Sequence, residues 1–260
     1  MTRAQSARIR LLLRDKRARN AEGAFIIEGA KPVSDALLHH PDSVLSVVIS
    51  VDYQRHESRS LHRLRESAIP SFHCSSRTFS TLSTLESPQG ILAVVRQPRW
   101  NEAVVLGQRR LLGMYGEQLQ DPANVGTIIR TAAALNIDAL WLTPESADVY
   151  NPKVVRSSAG AVLSLPTFVA DNVVRFTGSG ISVFAADASG QKAVGMDTIR
   201  TIPDRLVLAV GNESRGLSAR TVEQAACRFT IPLSRHVESL NVAATAAIAL
   251  HYFQRIALKE

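Results

Sequence analysis

The chain has 260 residues, 45% hydrophobic and 20% charged, the balance of a soluble globular protein long enough for one large domain or two ordinary ones. Cys74 and Cys227, the two cysteines, lie far apart; they exclude a cysteine zinc cluster and give no disulfide framework, so no metal and a reducing, cytoplasmic setting are expected. The net charge of +7 points to a polyanionic partner and says nothing about fold.

The charge is concentrated at the front. Residues 1–20 hold Arg3, Arg8, Arg10, Arg14, Lys16, Arg17 and Arg19 against Asp15 alone, a local +6. Nucleic acid is the preferred reading over a solvated basic face, with Arg8, Arg10, Arg14, Lys16 and Arg17 as the expected phosphate contacts. The same segment lacks the apolar run of a secretory signal and reads on into "AFIIEGAK" as folded structure. After it come a helix near 33–39, a strand "VLSVVIS", a charged helix over about 54–67, a strand "IPSFHCS", a short helix and a strand "GILAVVRQ". This alternation predicts a small α/β domain over 1–97. Residues 98–108, within "QPRWNEAVVLGQRR", read as a linker. From 109 to 260 strands recur as "RLLGMYG", "ALWLT", "ISVFAAD" and "RLVLAVG", each followed by helical sequence, so a second, mostly parallel sheet is expected. The apolar run 242–258 contains Thr245, His251, Gln254 and Arg255 and reads as a buried helix, not a membrane span.

Most familiar chemical motifs are missing. There is no phosphate-binding loop; "GSGISV" lacks the third glycine of a dinucleotide fingerprint; and "GNESRG" is one residue off a nucleophile elbow. His39 and His40 lack the spacing of a zinc helix. Three clusters rich in glycine and polar residues remain at strand ends: "DPANVGTIIR", "AVGNESRGLS" and "IPLSRHVESLNVAATAAIAL". Each has a local explanation, with Pro122 in a turn, Asn124 and Ser239 as helix caps, and Gly211 and Gly216 in tight turns. Arg130 does not fit such an account, because a guanidinium in a helix of core-like spacing must be paired, solvated or in use.

Together the clusters resemble the three ordered motifs of the SpoU/TrmH class of SPOUT methyltransferases. Asn124, Gly126 and Arg130 carry the first; Gly211, Asn212, Glu213 and Gly216 the second; Ile231, Pro232, Ser239, Leu240, Asn241 and Val242 the third. Ser214 stands where glycine is more usual. The resemblance covers about 111–253, and "RDKRARNAEGAFIIEGAKPVSDAL" is similar to the L30e-like RNA-binding domain that many members carry. The resemblance implies an α/β catalytic domain with a mostly parallel sheet and a deep trefoil knot, one of the exceptions to the rule against knots. It implies a homodimer that binds S-adenosylmethionine near Gly211, Asn212, Glu213, Gly216, Ile231, Leu240 and Ala244, held largely by main-chain groups at Gly211, Ile231 and Leu240. The reaction implied is methylation of a ribose 2′-hydroxyl, in 23S rRNA rather than tRNA because the accessory front domain is commoner among rRNA members.

That chemistry assigns roles. A ribose hydroxyl is a poor nucleophile, so its proton must leave or its developing charge must be stabilised. Arg130 stays protonated near neutral pH, which favours phosphate positioning and alkoxide stabilisation over general-base work. Asn124 and Asn241 are expected to orient Arg130 or the hydroxyl, Ser239 to donate to substrate, and Glu213 to pair with Arg130 or shape the cofactor loop. The alternatives are a tRNA 2′-O-methyltransferase, a base-methylating SPOUT enzyme and a non-catalytic RNA-binding homologue, and the intact Asn124, Arg130, Ser239 and Asn241 set argues against the last.

Overall fold

The computed structural model describes residues 1–55, 58–187, 193–234 and 239–257, and the chain divides into two compact units. The first joins Met1–Arg99 with Asp148–Leu163; the second joins Trp100–Ala147 with Ser164–Glu260.

In the first unit a reciprocal cap starts the helix Arg3–Arg14: the Thr2 hydroxyl accepts from the Gln5 amide and the Gln5 side chain accepts from the Thr2 amide. Ile9, Leu12 and Leu13 form its buried stripe. Asp15 caps the next helix, Lys16–Glu22, which stops at Gly23 in the left-handed region (φ 59°). The chain then enters β1 (Ala24–Glu28), which joins β2 (Val44–Ser50), β3 (Ser71–Cys74) and β4 (Ile91–Arg96) in the order β1-β4-β2-β3. β2 and β3 run parallel, the other pairs antiparallel. Alternate strand residues face two cores. Phe25, Ile27, Val47 and Ile49 enter one, and Ala24, Ile26 and Val48 enter the other beside Ile9, Leu12 and Phe79. Val155, Val162 and Leu163 from the returning segment complete the first core, and Tyr150 sets its ring 4.8 Å from that of Phe25. Burial there, helped by the charge of Asp148, pushes the Tyr150 phenol up to about 12. The charged helix expected over 54–67 forms as Arg59–Glu66 behind a short helix, Val51–Gln54; His56 and Glu57 lie outside the described residues.

The second unit holds β5 (Leu111–Gly116), β6 (Ala139–Leu142), β7 (Thr167–Val169), β8 (Ser182–Ala186), β9 (Val194–Gly195), β10 (Arg205–Val210) and β11 (Cys227–Thr230). All neighbours are parallel, in the order β7-β6-β5-β10-β8-β11-β9. A parallel sheet covered on both faces needs unbroken apolar strands, which β5, β6 and β10 supply. On one face Trp141 packs against Phe168 and Phe176, with ring centroids 5.8 and 5.0 Å away. A Cβ on Gly113 would lie 2.5 Å from that indole, so the strand is bare of a side chain where the ring crosses it. The helices Pro122–Ala134 and Val242–Ala257 pack against each other. Phe253 of the latter meets Phe184 and Phe229 edge-on, and Gln254 donates to the Leu135 carbonyl at 2.8 Å. Leu258, expected in this last helix, lies outside the described residues.

The stretch 98–108, read as a linker, contains the helix Glu102–Leu106. Glu102 accepts from the Trp141 indole and from Arg175, both at 2.6 Å, and Val105 is buried. No helix among the described residues is long and apolar enough to cross a membrane.

Arg19 is the buried cation of the first unit. It pairs with Asp148 at 2.5 Å and donates to the Leu12 carbonyl at 2.8 Å, the two paired side chains being 3% and 13% exposed. Arg19→Leu strands the Asp148 carboxylate, and urea denaturation should show a loss of about 3–5 kcal/mol.

Candidate functional site

Because every strand of the second sheet points the same way, the loops leaving β5, β10 and β11 emerge at one edge. The chain moves outward from β5 through β6 and β7, then crosses to β8; β10 later fills the place between β5 and β8. Ligands in open parallel sheets bind where the winding reverses in this way.

The helix after β5 starts at Asp121, whose carboxylate accepts from the Ala123 amide at 2.9 Å, and Pro122 takes the first helical position. Asp121, and not Asn124, is therefore the cap. Asn124 lies inside the first turn and is buried. Its Nδ2 donates to Glu213 Oε1 at 2.9 Å, and its Oδ1 accepts from Asn241 Nδ2 at 3.0 Å. Glu213 Oε1 also accepts from the Asp121 amide at 3.4 Å. The Asn241 Oδ1 accepts from the Ala243 amide at 2.9 Å, so Asn241 caps the last helix, a job expected of Ser239. One buried amide thus brings the three sequence clusters together.

The loop after β10 is a closed turn. Asn212 and Gly216 exchange main-chain hydrogen bonds of 3.0 and 2.9 Å. The Asn212 Oδ1 accepts from the amides of Ser214 and Arg215, and its Nδ2 donates to the Gln118 carbonyl at 2.8 Å. A Cβ on Gly211 would lie 2.2 Å from the Gly216 carbonyl carbon, so position 211 admits no side chain. The Glu117 carboxylate accepts from the Ser218 amide at 3.2 Å and ties this loop to the one after β5. Burial, with the charge of Glu117 second, holds the Tyr115 phenol well above its ordinary value.

Among the described residues, the main-chain N–H groups of Gly211, Ile231 and Leu240 have no hydrogen-bond partner. A ligand gripped by main-chain groups, the mode expected for S-adenosylmethionine, fits such a donor set. Ser239 and Ala244 are exposed. No group of three or more His, Cys, Asp or Glu among the described residues could hold a metal ion.

Arg130 stands apart. It is exposed on the outer face of its helix, three residues from exposed Thr127, and has no hydrogen bond or ion pair with the described residues. The expected pairing with Glu213 does not form, nor do Asn124 and Asn241 orient Arg130, because all three are engaged with one another and with neighbouring backbone. In the front unit Arg8 pairs with Glu22 at 2.7 Å and Arg10 donates to the Thr81 hydroxyl at 2.9 Å. Arg14, Lys16 and Arg17 are exposed, and their side chains have no partner among the described residues. Gln118 and Arg215, which the sequence reading does not single out, are tied to each other and to the β10 loop.

Known proteins share both halves. Residues 114–251 match the model of the SpoU rRNA methylase family, and residues 8–93 match the MRM3-like substrate binding domain. The chain is 32% identical over 249 residues to the 23S rRNA (guanosine(2553)-2′-O)-methyltransferase RlmP of Bacillus subtilis, covering 93% of each chain. It is 32% identical over 254 residues to the 23S rRNA (uridine(2479)-2′-O)-methyltransferase of Streptomyces viridochromogenes, covering 93% of this chain and 85% of that one. The crystal structure of the SpoU methyltransferase AviRb from Streptomyces viridochromogenes, in complex with the cofactor AdoMet, superposes with a TM-score of 0.83 at 25% identity, covering 99% of this chain and 100% of that one. The chain belongs to the SpoU rRNA methylase family.

Proposed function

We propose that this protein transfers a methyl group from S-adenosylmethionine to a ribose 2′-hydroxyl, with 23S rRNA as the substrate in preference to tRNA. The observation that carries the reading is the Asn124 amide, which joins all three clusters at the carboxyl edge of a parallel sheet. The names of the two curated relatives support the substrate class, and the AdoMet complex of the structural relative supports the cofactor. The protein would act as a homodimer in the cytoplasm. The knot belongs to the same proposal: β10 and β11 take places between strands laid down earlier, an order consistent with a threaded chain.

Main-chain groups at Gly211, Ile231 and Leu240 would hold the cofactor, with Asn212, Gly216 and Ala244 shaping its walls. When bound, the cofactor supplies an electrophilic methyl on a sulfonium. The chain's own contribution is to position the ribose and to favour negative charge on its 2′-oxygen, the hydroxyl proton passing to solvent at this open site. Ser239, exposed beside the last helix, would donate to the substrate. Asn124, Glu213 and Asn241 would hold the loops in register. Arg130, solvated on its helix flank, would meet an RNA phosphate and stabilise the forming alkoxide without touching that junction.

Isothermal calorimetry on the full-length protein should show binding of S-adenosylmethionine, and tritium from the labelled cofactor should enter rRNA as 2′-O-methylnucleoside on digestion. A base-methylated product would refute the ribose assignment.

Arg130→Ala should abolish methyl transfer while cofactor affinity stays within about tenfold, roughly 1.4 kcal/mol. Arg130→Lys should not restore activity, since a point charge lacks the planar fork. Collapse of cofactor binding in step with activity would make Arg130 a structural residue.

Neutralising Arg14, Lys16 and Arg17 together should weaken RNA binding and flatten the slope of log affinity against log salt by up to about three units. Arg8, already paired with Glu22, should contribute less. An unchanged slope would make the front segment an ordinary solvated face.

A further inference from the structure

Gln118 has a positive φ of 54°, a conformation that side-chain-bearing residues keep where their surroundings hold them there. Three bonds do so. Its N–H donates to the Thr143 hydroxyl at 2.8 Å, its carbonyl accepts from Asn212 at 2.8 Å, and its Oε1 accepts from Arg215 Nη2 at 2.8 Å. The third bond differs in kind, because it sets a full positive charge against a neutral amide oxygen.

Arg215 is exposed, and among the described residues its guanidinium has no other partner. The two carboxylates closest to it in the bonded network are engaged elsewhere, Glu213 with Asn124 and the Asp121 amide, Glu117 with the Ser218 amide. A guanidinium carries five N–H donors, so most of Arg215's remain available, on a side chain whose direction is already set.

We propose that Arg215 contacts an RNA phosphate at the mouth of the β10 loop, and that Gln118 is the positioning residue that holds it ready. The proposal rests on the methyltransferase reading above and adds a substrate contact to it. A neutral partner fixes the side chain without cancelling its charge, and the planar fork matches two phosphate oxygens. Holding the side chain in advance also lowers the ordering cost of binding. The loop that carries Arg215 also carries Glu213, so a phosphate caught there is registered against the Asn124 junction.

The test uses the full-length protein, labelled S-adenosylmethionine and rRNA. In Arg215→Ala the KM for RNA should rise about tenfold and the salt slope of RNA binding should fall by about one unit, with kcat and cofactor affinity within about threefold of wild type. Gln118→Gly removes the side-chain amide and leaves a residue at ease with positive φ. It should reproduce part of the KM rise, and should add nothing when combined with Arg215→Ala. An unmoved KM and slope would overturn the proposal. So would a fall in cofactor affinity without a change in RNA binding, which would make Arg215 a strap on the loop or a partner of the cofactor's carboxylate. If wild type neither binds the cofactor nor methylates RNA, the methyltransferase reading fails by itself; the Arg215 contact is then judged on the salt slope of RNA binding without cofactor, where an unchanged slope in Arg215→Ala refutes it.

Discussion

A buried side-chain amide has a donor end and an acceptor end, and both must be satisfied together. At Asn124 this requirement organises the second unit. A carboxylate can only accept, so Glu213 must face the NH2 group; the oxygen is then left for the NH2 of Asn241. That orientation holds together three chain segments far apart in sequence, on the loop after β5, the loop after β10 and the cap of the last helix. Gly211 adds a steric condition, because the β10 turn closes through the space that a side chain would need. The loops expected to grip a cofactor are thus set by hydrogen-bond satisfaction and excluded volume, on a sheet whose own stability comes from apolar burial.

Where the physics is periodic, the architecture is legible in the residues alone. β2, β4, β5, β6, β8 and β10 are compact, largely buried runs of apolar residues, and the sequence reading finds each of them as a strand; β1 it reads only as folded structure. β7, β9 and β11 are two to four residues long and mostly half-buried, so no period marks them. The three site clusters stand out as polar sequence at strand ends, and their grouping followed from the family resemblance. Their local tasks were assigned less well. Asn124 and Asp121 are both cap-forming types, and Pro122 at the first helical position was the available signal that the cap precedes it. Arg130 shares a helix stripe with Thr127, three residues away, so its outward face was also open to reading. Gln118 and Arg215 carried no such signal, because a dihedral angle and a contact across 97 positions leave no pattern in local sequence.

The basic front segment illustrates the difference between formal and available charge. Its +6 is a count of residues. In the folded unit Arg19 is spent on Asp148, Arg8 on Glu22, and Arg10 is anchored to Thr81. What remains uncancelled for a polyanion is Arg3 at the start of the first helix, Arg10 with its neutral hydroxyl partner, and Arg14, Lys16 and Arg17 around the turn between the first two helices. The field that an approaching RNA meets is narrower than the composition implies, and it has a direction.

The segment Asp148–Leu163 lies in the sequence of the second unit and in the core of the first, so the chain passes between the units three times, after Arg99, Ala147 and Leu163. A front module joined by one strand of chain can be lost, swapped or appended by a single genetic cut. Here a cut near residue 100 would leave Tyr150, Val155, Val162 and Leu163 without the hydrophobic bed that covers them, and Asp148 without its arginine. Taking the front module away therefore means also carrying off this sixteen-residue return or replacing its apolar surface with a polar one.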